Sequence, residues 1–303
     1  MTGSSLVYVV ILNWNLKDDT AECIDSVLRS DYPKVRIIVV DNGSTDGSIE
    51  YLSSRFPEIH IIANEENRGF AEGNNIGIRH ALQHGAEHVF ILNNDTIVDG
   101  GLLRHLVQAA ESDPQIGAVG PVIYYYAARR KIWWLGDRQH RLLPVPISVA
   151  RGQEDRGQLG SALPVDYITG CAMLIKRAVL EQVGFFDPRL FWYYEDADLC
   201  RRIRQAGYGI VAVPRAKMWH KVSMTAKKLS PFARYLGTRN RIVFYRRHPH
   251  GPHPILTSLY LLIGALRTCA VDVCRRDFEL IKPLARGLYD GYKGDLTELR
   301  YYG

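Results

Sequence analysis

Apolar runs of strand length alternate with helical stretches along the first 122 residues. Residues 6–12 and 35–40 are short runs of apolar, mostly β-branched side chains that end at polar turns, which is typical of buried parallel strands. Residues 18–29 are predicted to form a helix, because acids occupy the first turn and a proline follows the end. The same alternation predicts helices at 46–55, 72–83 and 101–112 and strands at 59–62, 88–92 and 117–122. This order predicts right-handed crossovers and an open parallel sheet.

Residues 123–164 interrupt the alternation with clustered aromatics, prolines and a glycine-rich charged stretch. They are predicted to form strands or ribbons and a mobile loop that covers a site. Regular structure then resumes, with strands predicted at 171–176 and 209–213 and helices at 177–183 and 196–206. Basic helical sequence follows His220, and a mostly apolar stretch covers 255–274.

The charge of the chain is unevenly distributed, although its composition is that of an ordinary globular protein. Lys and Arg number 7 against 15 Asp and Glu in residues 1–100, and 20 against 6 in residues 201–303. A basic C-terminal third suits an anionic partner such as nucleic acid, anionic lipid or a diphosphate. No recognised nucleic-acid-binding motif accompanies it, so a nucleic-acid partner is not expected.

The five cysteines are scattered and form no C-x-x-C pair, which argues against a zinc site and a disulfide framework. No basic segment precedes the first apolar run, so a secretory signal is not predicted. A cytoplasmic location is therefore expected.

Polar residues follow four consecutive predicted strands, at the edge where an open α/β sheet binds its ligands. Strand one ends in Asn13–Asn15 and strand two in Asp41–Asp46; strand three runs into Asn67–Gly69, and strand four ends in Asn93–Asp95. Any one of these segments could be only a turn or a helix cap. Four together favour a binding site.

Carboxylates indicate the chemistry of that site. Asp95 directly follows an apolar strand, and beside the amide oxygens of Asn93 or Asn94 it suits Mg²⁺ or Mn²⁺ bridging a diphosphate. Three acids lie within 195–198 at a predicted helix start, directly after four aromatic residues. A single acid there would be explained by the helix dipole. The cluster suggests an aromatic acceptor wall with one carboxylate acting as a base.

Five segments carry a specific resemblance: VDNGSTDGS, NRGFAEGNNIGI, FILNNDTIV, TGCAMLIKRAVLEQVGFFDP and FWYYEDADLCRRIRQAGY. In this order, over roughly residues 5–247, they resemble family 2 glycosyltransferases with the GT-A fold. The similarity is greatest to bacterial rhamnosyltransferase-like members that build cell-surface polysaccharides. The resemblance implies an α/β fold, with a Rossmann-like mixed sheet flanked by helices and a C-terminal helical extension.

The resemblance also implies roles for individual residues. Asp41 is expected to hold the base or ribose of the donor, Asp95 to bind a divalent metal, and Asp196 to act as the catalytic base. His220 resembles a histidine that completes the metal shell in some members, although a lone histidine is more often structural. The expected donor-binding residues are Asn13, Asn15, Asp41, Asn67, Arg68, Gly69, Asn75, Asn93, Asn94 and Asp95. The expected acceptor-binding residues are Gly170, Cys171, Trp192 and Glu195.

One position departs from the pattern of the family. The metal motif often reads Asp-x-Asp, and here Asn93 occupies its first position. An amide oxygen is a weaker ligand than a carboxylate, so modest metal affinity is expected.

The resemblance further implies an inverting transfer from a dTDP- or UDP-linked sugar, with rhamnose from a dTDP donor as the expectation. The acceptor is expected to be a glycan or a polyprenyl-diphosphate-linked glycan. Residues 1–225 would form the catalytic domain, with a donor half at 1–122 and an acceptor half at 123–225. Residues 226–303 would form the basic and apolar helical extension.

The apolar stretch 255–274 approaches the length of a membrane span, but it contains Arg267 and Asp272, which are costly inside a bilayer. A helix that lies on the inner face of the plasma membrane, or packs on the catalytic domain, is expected instead. The basic run before it could meet anionic lipid or a lipid-diphosphate acceptor. The alternative is a solvated helix face beside a homodimer interface. The run comprises Arg239, Arg241, Arg246 and Arg247.

Rival functions remain open at this point. A nucleotidyltransferase would normally carry a glycine-rich basic loop after strand one, where this chain reads NWNLKDD. A Rossmann dehydrogenase would show G-x-G-x-x-G there. A non-catalytic, membrane-associated partner in polysaccharide assembly is disfavoured by the intact Asp95 and Asp196.

Overall fold

A ten-stranded mixed β-sheet lies at the centre of the computed structural model, which describes residues 4–141, 143–160, 162–222, 230–249, 254–294 and 296. The strands are β1 (Val7–Asn13), β2 (Val35–Asp41), β3 (His60–Ala63), β4 (His88–Asn93), β5 (Thr96–Val98), β6 (Ile116–Tyr125), β7 (Ala128–Trp134), β8 (Asp137–Gln139), β9 (Pro146–Ser148), β10 (Leu163–Val165), β11 (Ala172–Lys176) and β12 (Gly209–His220). The helices are α1 (Lys17–Leu28), α2 (Ser48–Arg55), α3 (Gly69–Gln83), α4 (Leu102–Glu111), α5 (Arg177–Val183), α6 (Glu195–Gln205), α7 (Pro231–Arg247), α8 (Pro254–Cys274) and α9 (Ile281–Lys293). Single 3₁₀ turns lie at Pro188–Leu190 and Phe278–Leu280.

The strand order in the main sheet is β10-β12-β6-β11-β4-β1-β2-β3. Strands β1 to β4 are parallel to one another, as the alternation of strands and helices predicts. Outside the alternating segment, β11 pairs antiparallel with both β4 and β6, so the complete sheet is mixed. Strand β11 starts at the polar edge, where the parallel strands end, and therefore runs in the opposite direction to them. The expectation of a mixed sheet flanked by helices is confirmed.

Helices cover both faces of the sheet, which explains why its strands are almost continuously apolar. On one face, Val9 and Ile11 of β1 pack in the same core as Ile24 of α1 and Leu103 of α4. On the other face, Val10 lies in a second core with residues of α3, α5 and α6. The sheet is thereby a rigid base, and its carboxyl edge is fixed in space.

Strand β12 is longer than the predicted 209–213, and its extension places His220 at the polar edge. The register between β12 and β6 shifts after Val213, and pairing resumes at Lys217. This irregularity lets the strand continue to His220, which pairs in register with Thr96 of β5. Because β5 begins directly after Asp95, the extension brings His220 next to that carboxylate.

The C-terminal helices pack on one another beyond the sheet. Helix α9 lies close against α7, because a Cβ on Gly287 would fall 2.7 Å from the carbonyl oxygen of Tyr235. By length and composition alone, helix α8 could cross a membrane. Only 17% of its apolar 18-residue stretch is buried. Its Asp272 is buried and forms a 2.6 Å ion pair with Arg234 of α7. The inner face of α8 therefore packs on protein, and the opposite face is exposed.

Candidate active site

A cavity of about 1420 Å³ opens at the carboxyl ends of β1, β2 and β4, where the sequence predicts a site. Predicted site residues that line it are Asn67, Gly69, Asn93, Asn94, Asp95, Gly170, Cys171, Trp192, Glu195, Asp196 and His220. Residues from both halves of the catalytic region therefore meet in one space.

Asn13 and Asp41 lie beneath the cavity wall, where both are fully buried. They are adjacent in register across β1 and β2, and the Asn13 amide donates to Asp41 Oδ2 at 2.6 Å. The other oxygen, Asp41 Oδ1, accepts from the backbone N–H of Ser44 at 2.8 Å. The Asn94 amide donates to Asn13 Oδ1 at 3.2 Å. This buried network fixes the strand ends relative to one another.

Asn42 joins the end of β2 to the Asn67–Gly69 loop. Its amide donates to Asn67 Oδ1 at 2.9 Å and to the carbonyl of Gly69 at 3.1 Å. Gly69 has φ +76°, and a Cβ there would lie 2.5 Å from the ring of Phe191, so only glycine fits. Asn42 lines the cavity but is absent from the predicted set, since its position inside a turn sequence resembles plain turn chemistry.

Besides Asn13 and Asp41, three further expected donor residues lie outside the described lining of the cavity. Asn15 accepts from the backbone N–H of Thr45 at 2.9 Å, and Arg68 lies 3.8 Å from a neighbouring Glu66 oxygen. Asn75 is buried, and its amide group bonds both the backbone N–H and the carbonyl of Phe186. These contacts stabilise the loops around the cavity.

Asp95 and His220 form a close pair on the cavity wall. Asp95 Oδ1 lies 3.1 Å from His220 Nε2, and both residues are 6% exposed. The edge of Trp133 packs on the imidazole with the ring centres 4.5 Å apart. Burial lowers the pKa of His220, but the adjacent Cys171 and Asp95 outweigh burial and raise it to about 10. A metal ion would have to displace the proton from this ring.

The possible metal ligands in this cavity suit a hard divalent cation that takes part of its coordination shell from the substrate. They comprise one carboxylate, one imidazole and the amide side chains of Asn93 and Asn94 on the same cavity. His220 Nδ1 is buried without a hydrogen-bond partner in the described chain. Within the residues that the structure describes, no cluster of three His, Cys, Asp or Glu forms a closed metal site. An open site with bound water and diphosphate oxygens is what Mg²⁺ or Mn²⁺ uses.

Asp196 is held by hydrogen bonds at the start of α6. Its Oδ2 accepts from the Tyr167 hydroxyl at 2.7 Å and from the Gly170 N–H at 2.8 Å, and its Oδ1 accepts from the Ala197 N–H at 2.7 Å. Burial nevertheless raises the pKa of Asp196 above its ordinary value, against the lowering effect of these bonds. The result is an oriented carboxylate with increased basicity. Gly170, expected to contact the acceptor, also orients this carboxylate.

Glu195 is adjacent to Asp196 but differs from it in environment. Its side chain is 4% exposed, and Oε2 has no hydrogen-bond partner among the described residues. Burial, followed by repulsion from Asp196, raises the pKa of Glu195 well above its ordinary value. Three hydrogen bonds favour the charged form of Asp196, whereas Oε2 of Glu195 receives none from the described residues, so Asp196 is the better placed of the two to act as a base.

Aromatic residues form the wall next to this pair. Phe191, Trp192, Tyr193 and Tyr194 all line the cavity, and the Trp192 and Tyr193 rings stack with centres 4.2 Å apart.

Cys171 lies against His220, and burial raises the pKa of its thiol, so it stays protonated and is a poor nucleophile.

Residues 191–194, which we call the aromatic loop, have a strained backbone that helix α7 holds in place. Phe191, Tyr193 and Tyr194 have φ between 61° and 72°, a region that non-glycine residues rarely occupy. The fully buried Asn240 donates from its amide to the carbonyls of Leu190 at 2.7 Å, Trp192 at 3.0 Å and Tyr193 at 2.9 Å. Sequence alone does not reveal this contact, because Asn240 lies more than 40 residues beyond the loop.

Replacing Asn240 with Ala is expected to slow turnover by roughly 10- to 100-fold, because the released loop would displace Asp196. Stability should also fall by roughly 1–3 kcal/mol, since buried carbonyls lose their donor. Steady-state kinetics and thermal unfolding measure the two effects. The control is Ser26→Ala in α1, which removes a buried hydroxyl that bonds backbone groups of Cys23 and Val98. Equal slowing by both variants would show a general stability effect and contradict a positioning role.

Comparisons with known proteins were consistent with this geometry. The model of the family described as glycosyl transferase family 2 matches residues 8–184. An N-acetylglucosaminyl-diphospho-decaprenol L-rhamnosyltransferase of Mycobacterium tuberculosis is 30% identical over 205 residues, 61% of this chain and 66% of the relative, just under two thirds of its length. A dTDP-rhamnosyl transferase RfbF of Shigella flexneri is 23% identical over 98% of this chain and 99% of its own.

Solved structures share the fold. A mannosyltransferase from Pyrobaculum calidifontis, solved with GDP-Man and Mn²⁺, superposes with a TM-score of 0.60 at 19% identity over 97% of this chain and 89% of its own. GalNAc-T7, solved with UDP, GalNAc and Mn²⁺, gives a TM-score of 0.63 at 17% identity over 82% of this chain and 51% of its own.

Proposed function

The chain belongs to glycosyl transferase family 2, and from this premise we propose that it transfers a sugar from a nucleotide-diphosphate donor to an acceptor hydroxyl. The observation that carries the proposal is that Asp95 with His220 and Asp196 line the same cavity although they come from distant parts of the chain. Asp95 and His220 would hold the cation at the diphosphate, and Asp196 would receive a proton.

The donor would lie along the carboxyl ends of β1, β2 and β4. Asn42, Asn67 and the exposed Trp14 line that side of the cavity and offer amide groups and an aromatic face. Asp95 and His220 would bind Mg²⁺ or Mn²⁺, which when bound would neutralise charge on the leaving diphosphate. Asp41 and Asn13 would act from below by fixing the strand ends.

The acceptor hydroxyl would lose its proton to Asp196. Two hydrogen bonds hold Oδ2 of this carboxylate, and its raised pKa increases its basicity. Glu195 is the weaker candidate for this role, because no described residue hydrogen-bonds its Oε2. Direct attack of one hydroxyl on the anomeric carbon, with no covalent sugar on the enzyme, gives inversion of configuration.

Rhamnose from a dTDP donor is the proposed sugar, and a UDP-linked donor is the second candidate. Support comes from the names of the two relatives, both rhamnosyl transferases. The name of the mycobacterial relative also includes a lipid-diphosphate acceptor. We therefore propose a polyprenyl-diphosphate-linked glycan as the acceptor.

A donor screen tests the function. Full-length protein would be incubated with dTDP-rhamnose and with UDP- and GDP-sugars, with Mn²⁺, with Mg²⁺ or with EDTA, and released nucleoside diphosphate would be measured. We expect release from one donor class, stimulated by metal. A nucleotidyltransferase would instead release pyrophosphate from a nucleoside triphosphate, and a non-catalytic assembly partner would turn over none of these donors. Either of those results would overturn the proposal.

We further propose that residues 1–225 perform the catalysis and that the C-terminal helices meet an anionic membrane surface. The outer face of α8 is apolar and exposed, and basic residues such as Arg267 and Arg275 lie beside it. Pelleting with vesicles that contain phosphatidylglycerol should be strong at low salt and weaken as salt rises. Leu262→Glu should reduce it, whereas Leu28→Glu, at an exposed leucine of α1, should not. Absence of pelleting at low salt would contradict membrane contact.

A further inference from the structure

A second, smaller cavity of about 340 Å³ lies between α7, α8 and α9. We call it the α7–α8 cleft. Its walls include Tyr193, Tyr194, Thr238, Arg241, Gly264 and Leu288. Tyr193 and Tyr194 also line the catalytic cavity, so the two spaces share one wall. A molecule in the cleft would therefore lie close to the start of α6, where Asp196 is found.

The four arginines of the basic run have different partners in the structure. Arg239 is buried, and its guanidinium donates to the carbonyl of Arg189 at 2.9 Å. Arg246 donates to carbonyls at the end of α9, and Arg247 forms a 2.7 Å ion pair with Asp187. Arg241 lies over the ring of Tyr260 at 4.6 Å, and in the described part of the chain it has no hydrogen bond or ion pair.

The charge of Arg241 is uncompensated within the cleft. Arg234, which also lines the cleft, is neutralised by the buried Asp272 at 2.6 Å. No Asp or Glu belongs to the described lining. A partly buried cation without a counter-ion is unfavourable, so an anionic ligand would stabilise this arrangement. A guanidinium matches the paired oxygens of a phosphate.

Helix α8 shapes this anion position and also carries the apolar surface beside it. A Cβ on Gly264 would lie 2.7 Å from the Arg241 guanidinium, so glycine leaves the space that this group occupies. On the outer face of the same helix, five aliphatic residues are 49–79% exposed. They are Ile255, Leu259, Leu262, Ile263 and Leu266. A ligand with a phosphate and a long apolar chain fits both features.

We propose that the α7–α8 cleft binds the phosphate groups of an isoprenoid-diphosphate acceptor through Arg241. This inference rests on the proposed sugar transfer for its biological meaning. The isoprenoid chain lies along the exposed face of α8, and the sugar passes the Tyr193–Tyr194 wall towards Asp196. The cleft thereby selects acceptors that carry a lipid diphosphate over free glycans.

Farnesyl diphosphate, a short isoprenoid diphosphate, is the probe. Isothermal titration calorimetry with the full-length protein should show binding that Arg241→Gln weakens about 10- to 100-fold, as expected for a lost hydrogen bond to a charged group. The matched control is Arg36→Gln, which removes the same charge from an exposed position on β2. Gly264→Ala should also weaken binding, because the added methyl displaces the guanidinium. Inorganic pyrophosphate and farnesol, tested alone, separate the contributions of the headgroup and the chain.

Retention of wild-type affinity for farnesyl diphosphate by Arg241→Gln would overturn the inference, as would equal loss in Arg36→Gln. Binding of farnesol as tight as that of the diphosphate would also overturn it. Acceptor-free donor hydrolysis by the wild-type protein is measured in parallel, so that failure of sugar transfer and failure of the cleft can be told apart. Arg241-dependent probe binding without hydrolysis of any donor would support the cleft and count against sugar transfer.

Discussion

Replacing Asp196 with Asn is expected to slow sugar transfer roughly 10²- to 10⁴-fold, the usual contribution of a general base. The amide has nearly the same shape and can still accept at one oxygen, but it cannot take the proton of the acceptor. Donor affinity should be unchanged, because Asp196 belongs to the proposed acceptor side of the cavity. Nucleotide release gives the rate, and calorimetry with the nucleotide gives the affinity.

The pH profile provides a second readout for the same residue. Transfer requires deprotonated Asp196, and burial raises its pKa, so activity should be present above this pKa and decline as the pH falls through it. The decline should lie at higher pH than for an ordinary aspartate and should be absent from the residual activity of Asp196→Asn. Glu195→Gln is the control, because it removes the neighbouring carboxyl group and keeps the three hydrogen-bond donors of Asp196. Strong loss in Glu195→Gln with an active Asp196→Asn would reverse the two roles.

Replacing Asp95 with Asn is expected to lower metal-stimulated transfer roughly 10²- to 10³-fold, since several kcal/mol of charge stabilisation depend on a bound cation. The only carboxylate of the proposed metal-binding pair would become a weak amide ligand beside His220, so half-maximal activation should also need more Mn²⁺ or Mg²⁺. Metal titrations of the rate measure both changes.

The control for Asp95 is Asp99→Asn, four residues along the chain. The Asp99 side chain is exposed just after β5, and its printed hydrogen bond is local, accepted from the N–H of Gly101 at 3.1 Å. This variant should behave as wild type. If Asp95→Asn kept the wild-type metal response, Asp95 would not be a metal ligand.

Much of the first 122 residues could be predicted from sequence, because each strand there is a short apolar run bounded by polar turns. The polar ends of these strands could be predicted to meet, since parallel strands present their carboxyl ends at one edge. Whether a polar residue faces the cavity could not be predicted in the same way. Asp41 follows the expected motif, but its register opposite Asn13 directs it into a buried network.

Features that depend on distant segments could not be predicted from local patterns. The direction of β11 follows from where the chain enters the sheet, and the reach of β12 to His220 depends on a register shift against β6. The hydrogen bonds from Asn240 to the aromatic loop are tertiary contacts made by a polar residue of a basic helix. Its sequence context, TRNRI, predicts a solvated face rather than full burial.

The attachment of the aromatic loop to α7 affects how this enzyme could be re-engineered. A chimera joined at residue 225 would combine Asp196, the proposed base, from one parent with the Asn240 helix of another, and the strained Phe191–Tyr194 turn would lose its matched support. Exchange of acceptor preference between relatives should therefore transplant residues 188–249 as one block. A sequence change in α7 that disturbs Asn240 would therefore also shift the loop that precedes Asp196, the proposed base.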